Sequence, residues 1–139
     1  METTCRQLQL NSSATDLAPV RLPTRLIDLG TLEHPFVRLW EPKPHDTGKY
    51  IALSHPWGPS PHFSTNRENY KRHLEGQGLD DLPKSFEDAA KITRAIGLRY
   101  LWIDSICIIQ GDGGDFHQES KRMEEVYSGA YCVLAASRA

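Results

Sequence analysis

The sequence predicts an α/β domain with a partly parallel sheet flanked by helices, and three observations carry the prediction. Short apolar runs at residues 50–55, 98–109 and 131–137 have the aromatic and branched content of buried strands. Between them, Phe86, Ala89, Ala90, Ile92 and Ile96, and then Phe116, Met123, Val126, Tyr127 and Ala130, recur at helical spacing. Strands that alternate with helices pair in parallel, because each connection has to cross back over the sheet.

Taken in order, residues 1–20 mix Thr, Gln, Asn, Ser and Asp without periodicity, which predicts a flexible leader. Residues 21–49 read as a lead-in with one short strand at 36–40, closed by the prolines and glycine of 41–48. The main domain, 50–139, opens with strand 50–55. Pro56, Gly58, Pro59 and Pro61 stop it, since proline cannot donate to a central ladder. Thr65 and Glu68 have capping-box spacing, predicting a mostly polar helix from Thr65 to Gly76 or Gly78. Pro83 and the Ser85–Asp88 pair start a stronger helix that Gly97 ends. Residues 98–109 follow as a buried strand whose apolar run closes at Asp104-Ser105. A glycine-rich turn at 111–114 leads to one final helix, N-capped by Asp115 and ending at a left-handed Gly129. Strand 131–137 completes the sheet.

Composition narrows the function. The 139 residues suffice for one domain, and 16 Lys and Arg against 18 Asp and Glu leave no broad positive field, so no nucleic-acid partner is expected. No apolar run reaches the roughly 18 residues of a membrane span. Residues 1–13 are too polar for a secretory leader, and the expected location is cytoplasmic. Cys5, Cys107 and Cys132 form neither an even framework nor a C-x-x-C pair and are expected as reduced thiols. The histidines lack ligand spacing, so no metal site is expected.

Glu119 is the most informative residue. It falls between Phe116 and Met123 on the final apolar stripe, which aims a carboxylate inward. Burial of such a group makes it a candidate acid, base or ribose-binding residue. The alternative is a structural glutamate that caps a loop amide or pairs with Arg94 or Arg122. Asp104 and Ser54-His55 each end a strand, and ligands gather beyond the carboxyl ends of parallel strands. If those strands are neighbours, Ser54, His55, Asp104 and Ser105 line one rim; otherwise Asp104 and Ser105 bond loop backbone. Trp57 plugs the core or stacks on a ligand. A thiol hydrolase drawn from Cys107, His55 and Asp104 is a minor reading, because Cys107 lies in an apolar run and reactive thiols are partly exposed. The glycines of 111–114 do not make a dinucleotide fingerprint: Phe116 stands at the third glycine, and Asp112 and Asp115 would repel a pyrophosphate.

The blocks 50–58, 82–89, 99–110 and 119–130 together resemble the heterokaryon-incompatibility (HET) domain of filamentous fungi, in that family's order. Two positions depart from it: Pro56 stands where the family usually has Cys, and Phe116 where it usually has Trp. The family domain normally runs past residue 139, so the resemblance implies its N-terminal portion, truncated at the C-terminus. It also implies an effector of fungal non-self recognition and programmed cell death, with other HET-domain or incompatibility-pathway proteins as partners. Distant likeness to TIR domains implies a flavodoxin-like sheet. The Phe116-x-x-Glu119 register is similar to the W-x-x-E start of NAD-cleaving TIR enzymes, which implies Glu119 as a catalytic residue, Ser54, His55, Trp57, Asp104 and Ser105 as ligand-binding, and NAD as substrate with no bound cofactor. Two readings stay open: an NAD glycohydrolase, and a non-catalytic module that self-associates into homo-oligomers.

Overall fold

A computed structural model describes residues 2–5, 22–31, 33–54, 64–78 and 82–135. The lead-in supplies two strands where the sequence predicts one. Strand β1 (Glu2–Cys5) is followed by β2 (Leu26–Gly30) and β3 (Pro35–Trp40), which form an antiparallel hairpin. Its turn needs Gly30, whose φ is 71° and where a Cβ would lie 2.4 Å from the His34 carbonyl oxygen. Next come β4 (Tyr50–Ser54), β5 (Thr65–Asn66), α1 (Tyr70–Glu75) and α2 (Lys84–Ile96). They are followed by β6 (Tyr100–Ile103), α3 (Asp104–Cys107), β7 (Ile109–Gln110), α4 (Phe116–Ser120), α5 (Met123–Gly129) and β8 (Cys132–Ala135).

The main sheet has the order β1-β8-β4-β6-β2-β3. Its centre, β8-β4-β6, is parallel, as the alternation of strands and helices predicts. The outer strands β1, β2 and β3 run antiparallel. Strand β1 lies within the stretch expected to be a leader; residues 6–21 lie outside the described residues. Tyr50 through Leu53 and Leu101 through Ile103 are all buried, the pattern of strands covered on both faces. Tyr50 adds a tether: its hydroxyl donates to the Val126 carbonyl at 2.5 Å, fixing α5 over the sheet.

Helix α2 ends at Gly97, whose φ is 97° and whose N–H reaches the carbonyls of Arg94 and Thr93. Its inner face is Phe86, Ala89, Ala90 and Thr93, whereas Ile96 is 38 % exposed. Thr93 can sit inside because its hydroxyl donates to the Ala89 carbonyl at 2.8 Å.

Several local expectations are corrected. The helix predicted from Thr65 begins at Tyr70, because Asn66 and Asn69 accept one another's backbone N–H at 2.8 and 2.9 Å and hold a turn instead. The strand predicted over 98–109 breaks at Asp104, whose Oδ1 takes the Ser105 N–H at 2.7 Å and starts the turn α3. Strand β7 then joins β5 in a separate two-stranded parallel sheet. The final helix is two short helices parted at Lys121–Arg122, Gly129 does not adopt positive φ, and Phe116 is 43 % exposed. Asp115 makes no cap bond, because Oδ1 accepts the Ile109 N–H at 2.9 Å and Oδ2 meets Arg25. Cys132 is disulfide-bonded rather than a reduced thiol, which leaves Cys107 as the free cysteine among the described residues. No helix among the described residues is long and apolar enough to cross a membrane.

Candidate functional site

Register builds the site. Leu53 pairs with Ile103, so the two strands are neighbours, the condition the sequence left open, and Ser54 and Asp104 follow them side by side. The connection after β4 runs to β6, while the one after β6 returns past β4 to β8 on the other side. Both strands end here, and α/β sheets hold ligands beyond the carboxyl ends of their parallel strands. Strand β2 runs against β6 and β3 against β2, so the residues just before Leu26 and just after Trp40 lie at this same end.

At the rim, Asp104 and Ser105 are buried, 4 % and 0 % exposed. The Ser105 Oγ has no hydrogen-bond partner among the described residues. A buried hydroxyl of this kind costs about 1–3 kcal/mol unless something answers it. Tyr127, which the sequence assigned only to an apolar stripe, hydrogen-bonds Ser54 through its hydroxyl within electrostatic reach of Asp104. Burial pushes that phenol up to about 12, the Asp104 charge pushes the same way, and the hydrogen bond with Ser54 opposes them. The ring meets Trp102 edge-on at 5.4 Å. The available signal was that a tyrosine on a buried stripe needs a partner for its hydroxyl.

Arg25 fixes the floor. Buried to 7 % exposure, it donates from Nη1 to the Cys107 carbonyl at 3.1 Å and pairs through Nη2 with Asp115 Oδ2 at 2.6 Å. Burial opposes its charge, but Asp115 outweighs burial and holds the guanidinium pKa above its ordinary value. The pair ties the end of α3 to the start of α4 and so sets where Glu119 stands.

Glu119 is half-buried on α4, not on a core-facing stripe, because the break at Lys121–Arg122 interrupts the periodicity that would have aimed it inward. Among the described residues its carboxylate makes no hydrogen bond or ion pair. Both the Glu119 and Asp104 charges act electrostatically on the Cys107 sulfur. Burial above all pushes the Cys107 thiol up to about 12. A thiol so protonated is no nucleophile near neutrality, and the hydrolase reading on Cys107 is withdrawn. His55 and Trp57 lie outside the described residues. No group of three metal-ligating side chains occurs among the described residues.

The family model described as "Heterokaryon incompatibility protein (HET)" matches residues 50–139. No curated protein and no solved structure matches the chain. The matched stretch is well over half of the sequence and contains Ser54, Asp104, Ser105, Glu119 and Tyr127, and on that match the chain belongs to the heterokaryon incompatibility family.

Proposed function

We propose that this domain is an effector of fungal non-self recognition that acts in the cytoplasm and triggers programmed cell death by cleaving NAD, using a TIR-like, flavodoxin-like sheet. One observation carries the reading: a rim where Ser54 and Asp104 end neighbouring parallel strands close to Tyr127, with the uncommitted Glu119 carboxylate on the next helix. In the reaction the bond between the ribose C1′ and the nicotinamide nitrogen breaks. Nicotinamide leaves with the electron pair, water adds to C1′, and a proton is released with ADP-ribose. Glu119 holds the ribose hydroxyls and stabilises the oxocarbenium-like charge. Ser54, Tyr127 and Ser105 supply hydroxyls to the sugar, and Asp104 orients Tyr127. Clustering with other HET-domain proteins, or with copies of itself, brings the site to its active form.

A second reading, a non-catalytic self-associating module, has one observation in its favour. Phe116 is exposed beside Glu119, and an exposed aromatic is a ready contact for another chain. Nicotinamide release from NAD, followed with free and artificially clustered protein, separates the two. Turnover that rises on clustering and disappears in Glu119→Gln supports the enzyme. Full turnover in Glu119→Gln, or none in the folded clustered protein, overturns it, and the second outcome favours the module.

A further inference from the structure

A cleft of about 210 Å³ opens between the lead-in and the loop after β3, walled by Pro23, Thr24, Pro42 and Pro44, with Lys43 and Arg122 among its lining. Because Leu26 pairs with Trp40, this cleft lies at the same end of the sheet as Ser54 and Asp104. Arg122 is joined to the candidate catalytic helix, its N–H donating to the Glu119 carbonyl at 2.9 Å.

The cations of the cleft have spare capacity. Arg122 donates from Nη1 to Thr24 Oγ1 at 2.7 Å, which fixes the plane of the guanidinium. Its buried Nε makes no hydrogen bond and is ion-paired at 3.5 Å with the half-exposed Glu125, which leaves Nη2 for an incoming group. Lys43 is exposed and has no ion pair among the described residues. Glu41, the acid of the wall, is engaged elsewhere: it accepts from the Tyr70 hydroxyl and stands 4.0 Å from Arg25. The prolines add rigid wall without N–H donors, so an incoming anion is met by the two cations. A fixed guanidinium fork matches two oxygens of one oxyanion, and an ammonium beside it favours a multiply charged group over a single carboxylate.

We propose that this cleft is a phosphate subsite, which takes the phosphate or diphosphate arm of a small molecule whose reacting end lies at the Ser54–Asp104 rim. The inference deepens the reading above, and a binding measurement that needs no bond cleavage keeps the two separable. Calorimetric titration of the full chain with inorganic diphosphate, with acetate as the singly charged control, is the test. Expected is saturable diphosphate binding that salt weakens. Lys43→Ala, a change at an exposed side chain, should lower the affinity severalfold. Arg122→Gln should lower it roughly ten- to a hundredfold, the worth of one charge-assisted bond. No diphosphate binding by the folded wild type, equal binding by the Lys43→Ala protein, or acetate binding as tightly overturns the subsite. Diphosphate binding without NAD turnover upholds the subsite and counts against the glycohydrolase; NAD turnover without diphosphate binding does the reverse.

Discussion

Two aspartates, one within β2 and one just past the end of its neighbour β6, are equally buried and differently surrounded. Asp28 of β2, 3 % exposed, accepts from Arg99 through both oxygens at 2.6 and 3.0 Å, from Arg38 at 3.2 Å and from the Gly30 N–H at 2.9 Å. Asp104, 4 % exposed, takes the N–H of the next residue and acts electrostatically on the Tyr127 hydroxyl, with the unanswered Ser105 Oγ next to it in sequence. Around Asp28 the donors converge on one acceptor and leave nothing for a ligand. Next to Asp104 the Ser105 hydroxyl has capacity to spare. The fold saturates the Asp28 carboxylate, whereas it leaves the hydroxyl next to Asp104 unanswered among the described residues.

The largest expected effect of breaking the comparison is at Asp28. Asp28→Ala leaves two guanidinium groups and the Gly30 N–H facing an apolar methyl. Urea unfolding should report a loss of about 3 kcal/mol, the scale of breaking a buried pair that keeps some solvent contact. Asp104→Asn keeps an acceptor for the Ser105 N–H and should cost clearly less. Equal losses at the two sites would remove the distinction drawn between them.

The Asp28 cluster also explains what could be read from the sequence and what could not. Strands β4 and β6, helix α2 and the parallel pairing were legible because each is a short local pattern, a run of apolar residues or a helical repeat. The rim was legible for the same reason, since Ser54 and Asp104 are where those runs stop. Strand β2 was not, because Asp28 sits in the middle of it and its partner Arg99 is 71 residues away. Nor was the division of the last helix, where Asp115 gives its side chain to Arg25 and Ile109 rather than to a cap. Tyr127 has the spacing of a core residue, and only the fold shows that its hydroxyl reaches the rim.

pH sharpens the contrast from both sides. Burial works upward on the Asp28 carboxyl, but Arg99 and the other donors outweigh it and hold the pKa below its ordinary 3.8. A depressed folded pKa means the unfolded chain binds the proton first as pH drops. The Asp28 contribution is therefore complete above pH 3.8 and is lost as pH falls through the lower folded value. Tyr127 behaves oppositely, raised from 10.0 to about 12. Its contribution is complete below pH 10.0 and is lost as pH climbs towards about 12, because the unfolded chain gives up the proton first. Stability measured from pH 3 to 12 should have an acid limb that Asp28→Asn flattens and an alkaline limb that Tyr127→Phe flattens. Exchange of these assignments would contradict the surroundings given to the two groups.

The smallest expected change in stability belongs to the residue expected to matter for activity. Tyr127→Phe keeps the ring against Trp102 and removes only the hydroxyl beside Asp104 and Ser54, one hydrogen bond at a rim, worth about 1 kcal/mol or less. If that hydroxyl positions the sugar, NAD cleavage by clustered protein should fall at least tenfold while the unfolding midpoint hardly moves. The loss should appear in KM when the hydroxyl binds the ground state and in kcat when it binds only the transition state. A purely structural tyrosine gives the reverse, a measurable loss of stability with turnover intact. That result would return the rim to the same class as the Asp28 cluster, polar groups placed to hold strands together rather than to meet a ligand.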